Sequence, residues 1–373
     1  MFSLGLLLGL GSSYISEFIK KFKNKDKRST MKILFILRAR DKDFSGNEGE
    51  YSYSGGFSSG LNNSVMFIHK MLSDIGIESK IVEVIDSNGV DKEVYQYKPT
   101  HVICEAIWVE PKKFKELKKL HPKVQWFIRL HSDLPFLATE GHAIKYIGEY
   151  IEHDVTITAN SPRMVEALSA LYPYNNIPYL PNYYPIQRYK THQMHNGETI
   201  NVGCFGAIRI LKNQLQQAVA AIMFAIKHNK KLRFHINASR VENNSQPALK
   251  NIVELFKQFE DYGFELVSHG WKSHDNFLKL VGEMNISMQM SYNETCNIVS
   301  LDAASELVPV VGSNEIPWLP KKYHADPNDI NSIIHMMERV LECPMQVAED
   351  NLEAIAYYNE HTLRAWKKFL NIE

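Results

Sequence analysis

Residues 290–313 read MSYNETCNIVSLDAASELVPVVGS. Their reading decides the fold class. The run ISMQMS at 286–291, which leads into them, is short and apolar and reads as a buried strand. A polar loop carrying Glu294 follows, then NIVSLDAASEL at 297–307 as a helix and VPVVG at 308–312 as a short strand. Strand, loop, helix and strand in that order make a parallel βαβ unit. The same rhythm extends outward. Before this unit lie strands INVGCFGAI at 200–208, LRFHINA at 232–238 and ELVSHG at 265–270, separated by helical stretches such as LQQAVAAIMFAIKH at 215–228. Further back are strands at 32–38, 80–85, 101–107, 124–130 and 155–160, with helices at 62–76, 111–120 and 142–151. Ser161 and Pro162 then open another helix as N-cap and first helical residue. The segment 173–198 breaks the rhythm with Pro, Asn and Tyr. The expected fold is therefore α/β, with two Rossmann-like, doubly wound domains at 31–185 and 200–345, a linker at 186–199 and C-terminal helices at 346–373. The 373 residues suit two domains of ordinary size.

Residues 1–30 form a separate extension. FSLGLLLGL at 2–10 is too short to span a bilayer, and the Lys-rich run that follows the apolar stretch has the wrong order for a secretory signal. Residues 1–28 are expected to make peripheral membrane contact through apolar side chains and lysines. A start-site artefact upstream of Met31, which opens the strand-like MKILFIL, is the other reading. Over the whole chain 42 Lys+Arg balance 42 Asp+Glu, which argues against a bulk electrostatic grip on nucleic acid. The four cysteines are scattered, with no zinc or disulfide spacing, so a reducing, cytoplasmic setting is expected.

Several residues carry chemistry by position. A helix starting near Asn297, at the carboxyl end of a parallel strand, presents amides suited to an anion such as a diphosphate. Asp302 in its second turn can accept hydrogen bonds from vicinal hydroxyls. Gly206-Ala-Ile-Arg209-Ile-Leu-Lys212-Asn213 places two cations after the first strand of the second half. Ser54-Gly55-Gly56-Phe-Ser-Ser-Gly60 is a Gly/Ser loop in which amides can approach a phosphate or sugar. His131 ends a first-half strand, and Trp271 follows a second-half strand. Asp41-Lys42-Asp43 is a D-x-D triplet beside Arg40, and reads as a solvated loop. GxxxxGK, GxSxG and HExxH are absent from the sequence.

These residues resemble GT-B-fold glycosyltransferases, especially the retaining family-4 type, over about residues 32–345. Glu294 and Asp302 match the E-x7-E signature with Asp in place of the second Glu. AASELVPVVGS resembles that family's EAMA-x-G-x-PVV, with Leu307 or Val308 near the usual Gly. GAIRILKN resembles G-x-x-R-x-x-K-G/N, and Asn160-Ser161 and Leu180-Pro181-Asn182 resemble the family's NS and PN marks. The resemblance implies that two domains face across a cleft. A nucleotide sugar would bind the C-terminal domain and an acceptor the N-terminal one, with retention and with neither metal nor cofactor. Arg209 and Lys212 would hold the diphosphate, Glu294 the sugar and Asp302 the ribose. His131, Gly55 and Gly56 would line the reacting centre. Gly206, Trp271, Thr295, Asn297 and Ile298 would complete the donor site. The C-terminal helix is expected to pack back on the first domain. Some stretches look similar to the phage-encoded subset, which makes a hydroxymethylated DNA base one acceptor and a surface glycan or lipid the other. The departures at Asp302 and Leu307 also suit a non-catalytic sugar- or nucleotide-binding module derived from a transferase.

Overall fold

The computed structural model describes residues 30–39, 60–186 and 197–372. The expectations for the N-terminal extension, the D-x-D triplet and Gly55-Gly56 lie outside the described residues, as does most of the linker. The first domain runs β1 (Lys32–Arg38), α1 (Gly60–Asp74), β2 (Glu78–Val84), α2 (Gly89–Tyr97), β3 (His101–Glu105), α3 (Lys113–Leu120), β4 (Gln125–Leu130), α4 (Leu134–Leu137), α5 (Ala143–Glu152), β5 (Thr156–Ala159) and α6 (Pro162–Leu171). The second runs β6 (Thr199–Gly203), α7 (Gln214–Lys227), β7 (Lys231–Ile236), α8 (Gln246–Gln258), β8 (Phe264–Ser268), α9 (His274–Val281), β9 (Ile286–Gln289), α10 (Ile298–Ser305), β10 (Val310–Gly312), α11 (Ile330–Glu342) and α12 (Pro344–Phe369).

Each domain holds a five-stranded parallel sheet, in the orders β2-β1-β3-β4-β5 and β10-β9-β6-β7-β8. The interior strand β1 is a continuous apolar run because helices cover both faces, and five of its consecutive residues are buried. Chain order reverses between β1 and β3 in the first sheet and between β6 and β9 in the second. At such a switch point the two flanking loops diverge and leave a crevice beyond the carboxyl ends of the strands.

Three expected boundaries shift for local reasons. The strand expected at 200–208 stops at Gly203, because Gly206 takes φ +109° and donates its N–H to Asn237 Oδ1 at 2.9 Å. The strand expected from residue 308 begins only at Val310. Leu307 adopts the left-handed φ of 61° that ends a helix, and Val308 still bonds back to Ala303. The tail forms one 26-residue helix that opens on Pro344, which sits where its missing N–H costs nothing. Three helices add to the sequence reading: α2, the single-turn α4 and α11. The short α2 buries only Val90 and Val94, too little to set a period. The stripe of α11 (Ile333, Ile334, Met337 and Val340, behind an Asp329 N-cap) is legible in the sequence.

The long α12 ties the halves together. Val347, Ile355 and Tyr358 pack in the second domain's core, whereas Trp366 and the following Leu370 and Ile372 pack in the first's. Trp366 Nε1 donates to Pro181 O at 3.0 Å, and Thr362 Oγ1 donates to Asn182 O at 2.8 Å. Asn359 pairs with the backbone of Tyr184, accepting from its N–H at 3.0 Å and donating to its carbonyl at 2.6 Å. The segment leading into the linker is thereby bonded along its length. Truncation of the fully buried Trp366 to Ala is expected to cost about 3–5 kcal/mol in urea unfolding, with the loss showing first in the first-domain signal.

Candidate functional site

The second-domain switch point, between β6 and β9, collects most of the sequence-predicted residues. Arg209, Lys212, Glu294, Thr295 and His131 line one crevice with Phe136 and Leu211. Lys212 Nζ pairs with Glu294 Oε1, which also accepts from Ser291 Oγ at 2.8 Å and Asn297 Nδ2 at 3.0 Å. Asn297 caps α10: its Oδ1 accepts from the Ser300 N–H at 2.9 Å while its own φ is 61°. Asn213, after Lys212, has φ 56°. Both positions require the left-handed region, which Gly and Asn enter at low cost, so the K-G/N pattern has a conformational basis here. Leu307 occupies that region without Gly, a strained choice for a side chain.

Arg209 is not a free cation. Its guanidinium pairs with Glu242 and lies 4.9 Å from the Phe136 ring centroid. Arg240 pairs with the same Glu242 and lies 4.8 Å from the Trp271 centroid. Burial works against the charge on Glu242, but Arg209 and Arg240 outweigh it and hold the carboxyl below its usual range.

A second cleft adjoins this crevice, with about 460 Å³ of empty space, lined by Gly206, Trp271, His274, Ile298 and Asp302 of the second domain and by Gly60 and Asn63 of the first. Asp302 is buried, and its Oδ1 accepts from Tyr184 Oη at 2.9 Å and from His274 Nε2 at 2.8 Å. A ribose would meet a carboxylate already engaged. Burial disfavours the imidazolium of His274, yet Asp302, Asp275 and Glu306 together raise its pKa. Glu306 is pushed up to about 7, by burial first and then by the charge of Asp302.

On the first-domain side, His131 Nε2 faces Glu105 Oε2, and Arg129 Nη1 lies 3.3 Å from the same oxygen. Glu105 and Arg129 are both 0% exposed. Burial opposes the Glu105 charge, but Arg129 and His131 prevail and lower its pKa. Burial, then Arg129, lowers that of His131, which favours the neutral ring with Nε2–H donating to Glu105. Spacing pointed to His131 but not to Glu105, Arg240, Glu242 or His274. Only Glu105 leaves a local mark, as an acid ending an apolar strand. Among the described residues, no three His, Cys, Asp or Glu side chains gather as a metal site, and no helix is long and apolar enough to cross a membrane.

The sequence matches no family model and no curated relative. The fold does have counterparts among solved structures. The OtsA apo structure aligns with TM-score 0.65 at 10% identity, over 91% of this chain and 99% of that one. An alpha-glucosyltransferase in complex with UDP and a 13-mer DNA containing a central A:G mismatch aligns with TM-score 0.60 at 12% identity, over 91% and 99%. The fold is GT-B. An S. aureus TarM mutant in complex with fondaparinux, alpha-GlcNAc-glycerol and UDP gives TM-score 0.58 at 15% identity, over 76% of this chain. The chain spans 58% of the length of that TarM structure. In GT-B terms, both clefts lie where the carboxyl edges of the two sheets meet.

Two outcomes follow from these contacts. Glu105→Ala strands a fully buried guanidinium and is expected to cost about 3–5 kcal/mol by urea unfolding, far more than the same change at an exposed acid. Because the folded pKa of His274 is raised, its contribution is complete below about pH 6.5 and is lost as pH rises through the higher folded value. The stability gap between the natural protein and His274→Gln should therefore narrow from about pH 6 to about pH 8. A gap that widens would refute the ion pair with Asp302.

Proposed function

We propose that this GT-B chain is a glycosyltransferase that moves a sugar from a nucleotide-sugar donor to an acceptor hydroxyl, with retention at the anomeric carbon and without a metal. The observation that carries the reading is the convergence of Arg209, Lys212, Glu294 and His131 on one crevice, with the start of α10 beside it. In this account the donor diphosphate takes Lys212 from Glu294 and lies against Arg209 and the first amides of α10. Positive charge fixed there meets the negative charge that grows on the leaving diphosphate. Glu294, still held by Ser291 and Asn297, then accepts hydroxyls of the sugar. Trp271 and Gly206 flank the nucleoside in the adjoining cleft, and the Asp302–His274 pair faces the ribose. His131, with Nε2 turned to Glu105, offers Nδ1 to the sugar or the reacting oxygen. The bond from the anomeric carbon to the phosphate oxygen breaks, the acceptor oxygen bonds on the same face, and the acceptor proton passes to the leaving phosphate.

For the acceptor we take a hydroxymethylated DNA base or a surface glycan or lipid; structures of this fold include a complex with DNA and one with fondaparinux. The setting we assign is cytoplasmic. The engagement of Asp302 by Tyr184 and His274 favours a second reading, a binding module that has lost turnover. A thermal-shift panel of UDP-, GDP-, ADP- and CMP-sugars, read beside release of the nucleotide, separates the two. One nucleotide class is expected to raise the melting temperature. The natural protein is expected to release the nucleoside diphosphate, and the Arg209→Ala, Lys212→Ala double variant to lose about 100-fold or more in turnover. Binding without turnover selects the module. No shift with any nucleotide sugar sinks both.

A further inference from the structure

We propose that Arg163 is a positioning residue for Glu294, fastening the donor-side loop of the second domain to the first domain when the cleft is closed. The inference rests on the transferase reading for its catalytic consequence but not for its geometry.

Arg163 is the second residue of α6, at the carboxyl edge of the first sheet. Its guanidinium reaches three oxygens. Nη2 donates to Asp133 Oδ2 at 2.8 Å within its own domain, and to the backbone carbonyl of Glu294 at 2.9 Å across the cleft. Nη1 donates to Glu315 Oε2 of the second domain at 2.6 Å. The adjacent Thr295 is gripped as well: its Oγ1 donates to His131 O at 3.0 Å and accepts from Asn160 Nδ2 at 3.1 Å. Two domains therefore hold Glu294 at different points. The second fixes its carboxylate through Lys212, Ser291 and Asn297; the first fixes its backbone through Arg163 and, one residue on, through His131 and Asn160.

The chemistry of the side chain suits the task. A planar guanidinium presents several donors in fixed directions and can serve three acceptors at once, which an ammonium on a flexible stem does poorly. The Arg163 side chain is 51% exposed, so water competes with each of its bonds. A weak fastening of this kind opens and closes with each cycle of a two-domain enzyme. When the domains part, the loop loses these first-domain bonds, and Glu294 loses its fixed backbone. Chemistry is thereby made conditional on closure, which keeps water from the donor.

The test compares the full chain with Arg163→Ala, Arg163→Lys and Glu315→Gln. Hydrogen exchange of residues 290–297 and small-angle scattering are measured with no donor present. Steady-state kinetics follow, with whichever nucleotide sugar proves active. Arg163→Ala is expected to speed exchange in 290–297, to expand the particle, and to lower kcat about tenfold with little change in donor KM or melting temperature. Hydrolysis should gain on transfer. Arg163→Lys should recover part of kcat, and Glu315→Gln should show a smaller version of the same split. Unchanged exchange and unchanged kcat would reduce Arg163 to a surface ion pair. If the natural protein turns over no nucleotide sugar, the transferase reading fails, while exchange and scattering still decide the fastening.

Discussion

A single buried cation, Arg129, connects the fold to the candidate site. Its guanidinium is fully enclosed, so every N–H it carries has to find an acceptor or cost the desolvation of a charge. Nε donates to Leu180 O at 3.0 Å and Nη2 to Asn182 Oδ1 at 2.6 Å, while Nη1 faces Glu105 and the whole group lies 5.5 Å from the Trp366 ring centroid. One side chain on β4 thus fixes the chain entering the linker, the end of α12 and the acid that orients His131. Ser64 Oγ of α1 adds a bond to the same Asn182 Oδ1 at 2.8 Å. Interdomain geometry and the candidate catalytic ring are therefore not independent. A change that loosens the packing of α12 is felt at His131 through Arg129.

The second organising constraint is backbone conformation at the switch point. Gly206, Asn213, Asn297 and Leu307 all have positive φ. They mark the turns by which the chain leaves β6, enters α7, enters α10 and leaves α10. The first three stand at element ends that face the crevice; Leu307 lies at the other end of α10, where the chain turns into β10. Where Gly or Asn stands, the conformation is cheap; where Leu307 stands, the surrounding packing has to impose it. The departure from Gly at this position leaves the turn itself intact.

Two carboxylates offset three cations at and beside the crevice. Lys212 rests on Glu294, and Arg209 and Arg240 on Glu242. Isolated cations converging in so confined a space would repel one another. Under the proposed function, an entering diphosphate would exchange one set of partners for another. The cations are therefore held in place by the fold itself.

Two kinds of pattern were legible along the chain. Strands buried on both faces have to be continuous apolar runs, so the alternation of strands and helices, and with it the two parallel sheets, could be read directly. Residues that share one loop, such as Glu294 with Thr295 or Arg209 with Lys212, came together because local geometry fixes their spacing. The partners that give those residues their state were set by folding alone. Glu105 lies 24 residues from Arg129, Arg209 33 from Glu242, His274 28 from Asp302, and Arg163 131 from Glu294. No period or motif spans such distances, because the contacts arise from which strand ends adjoin and how the two sheets meet. Composition and local periodicity determined what the elements are; which strand ends adjoin, and how the two sheets meet, decided which charges face one another, because those contacts join residues far apart in the chain.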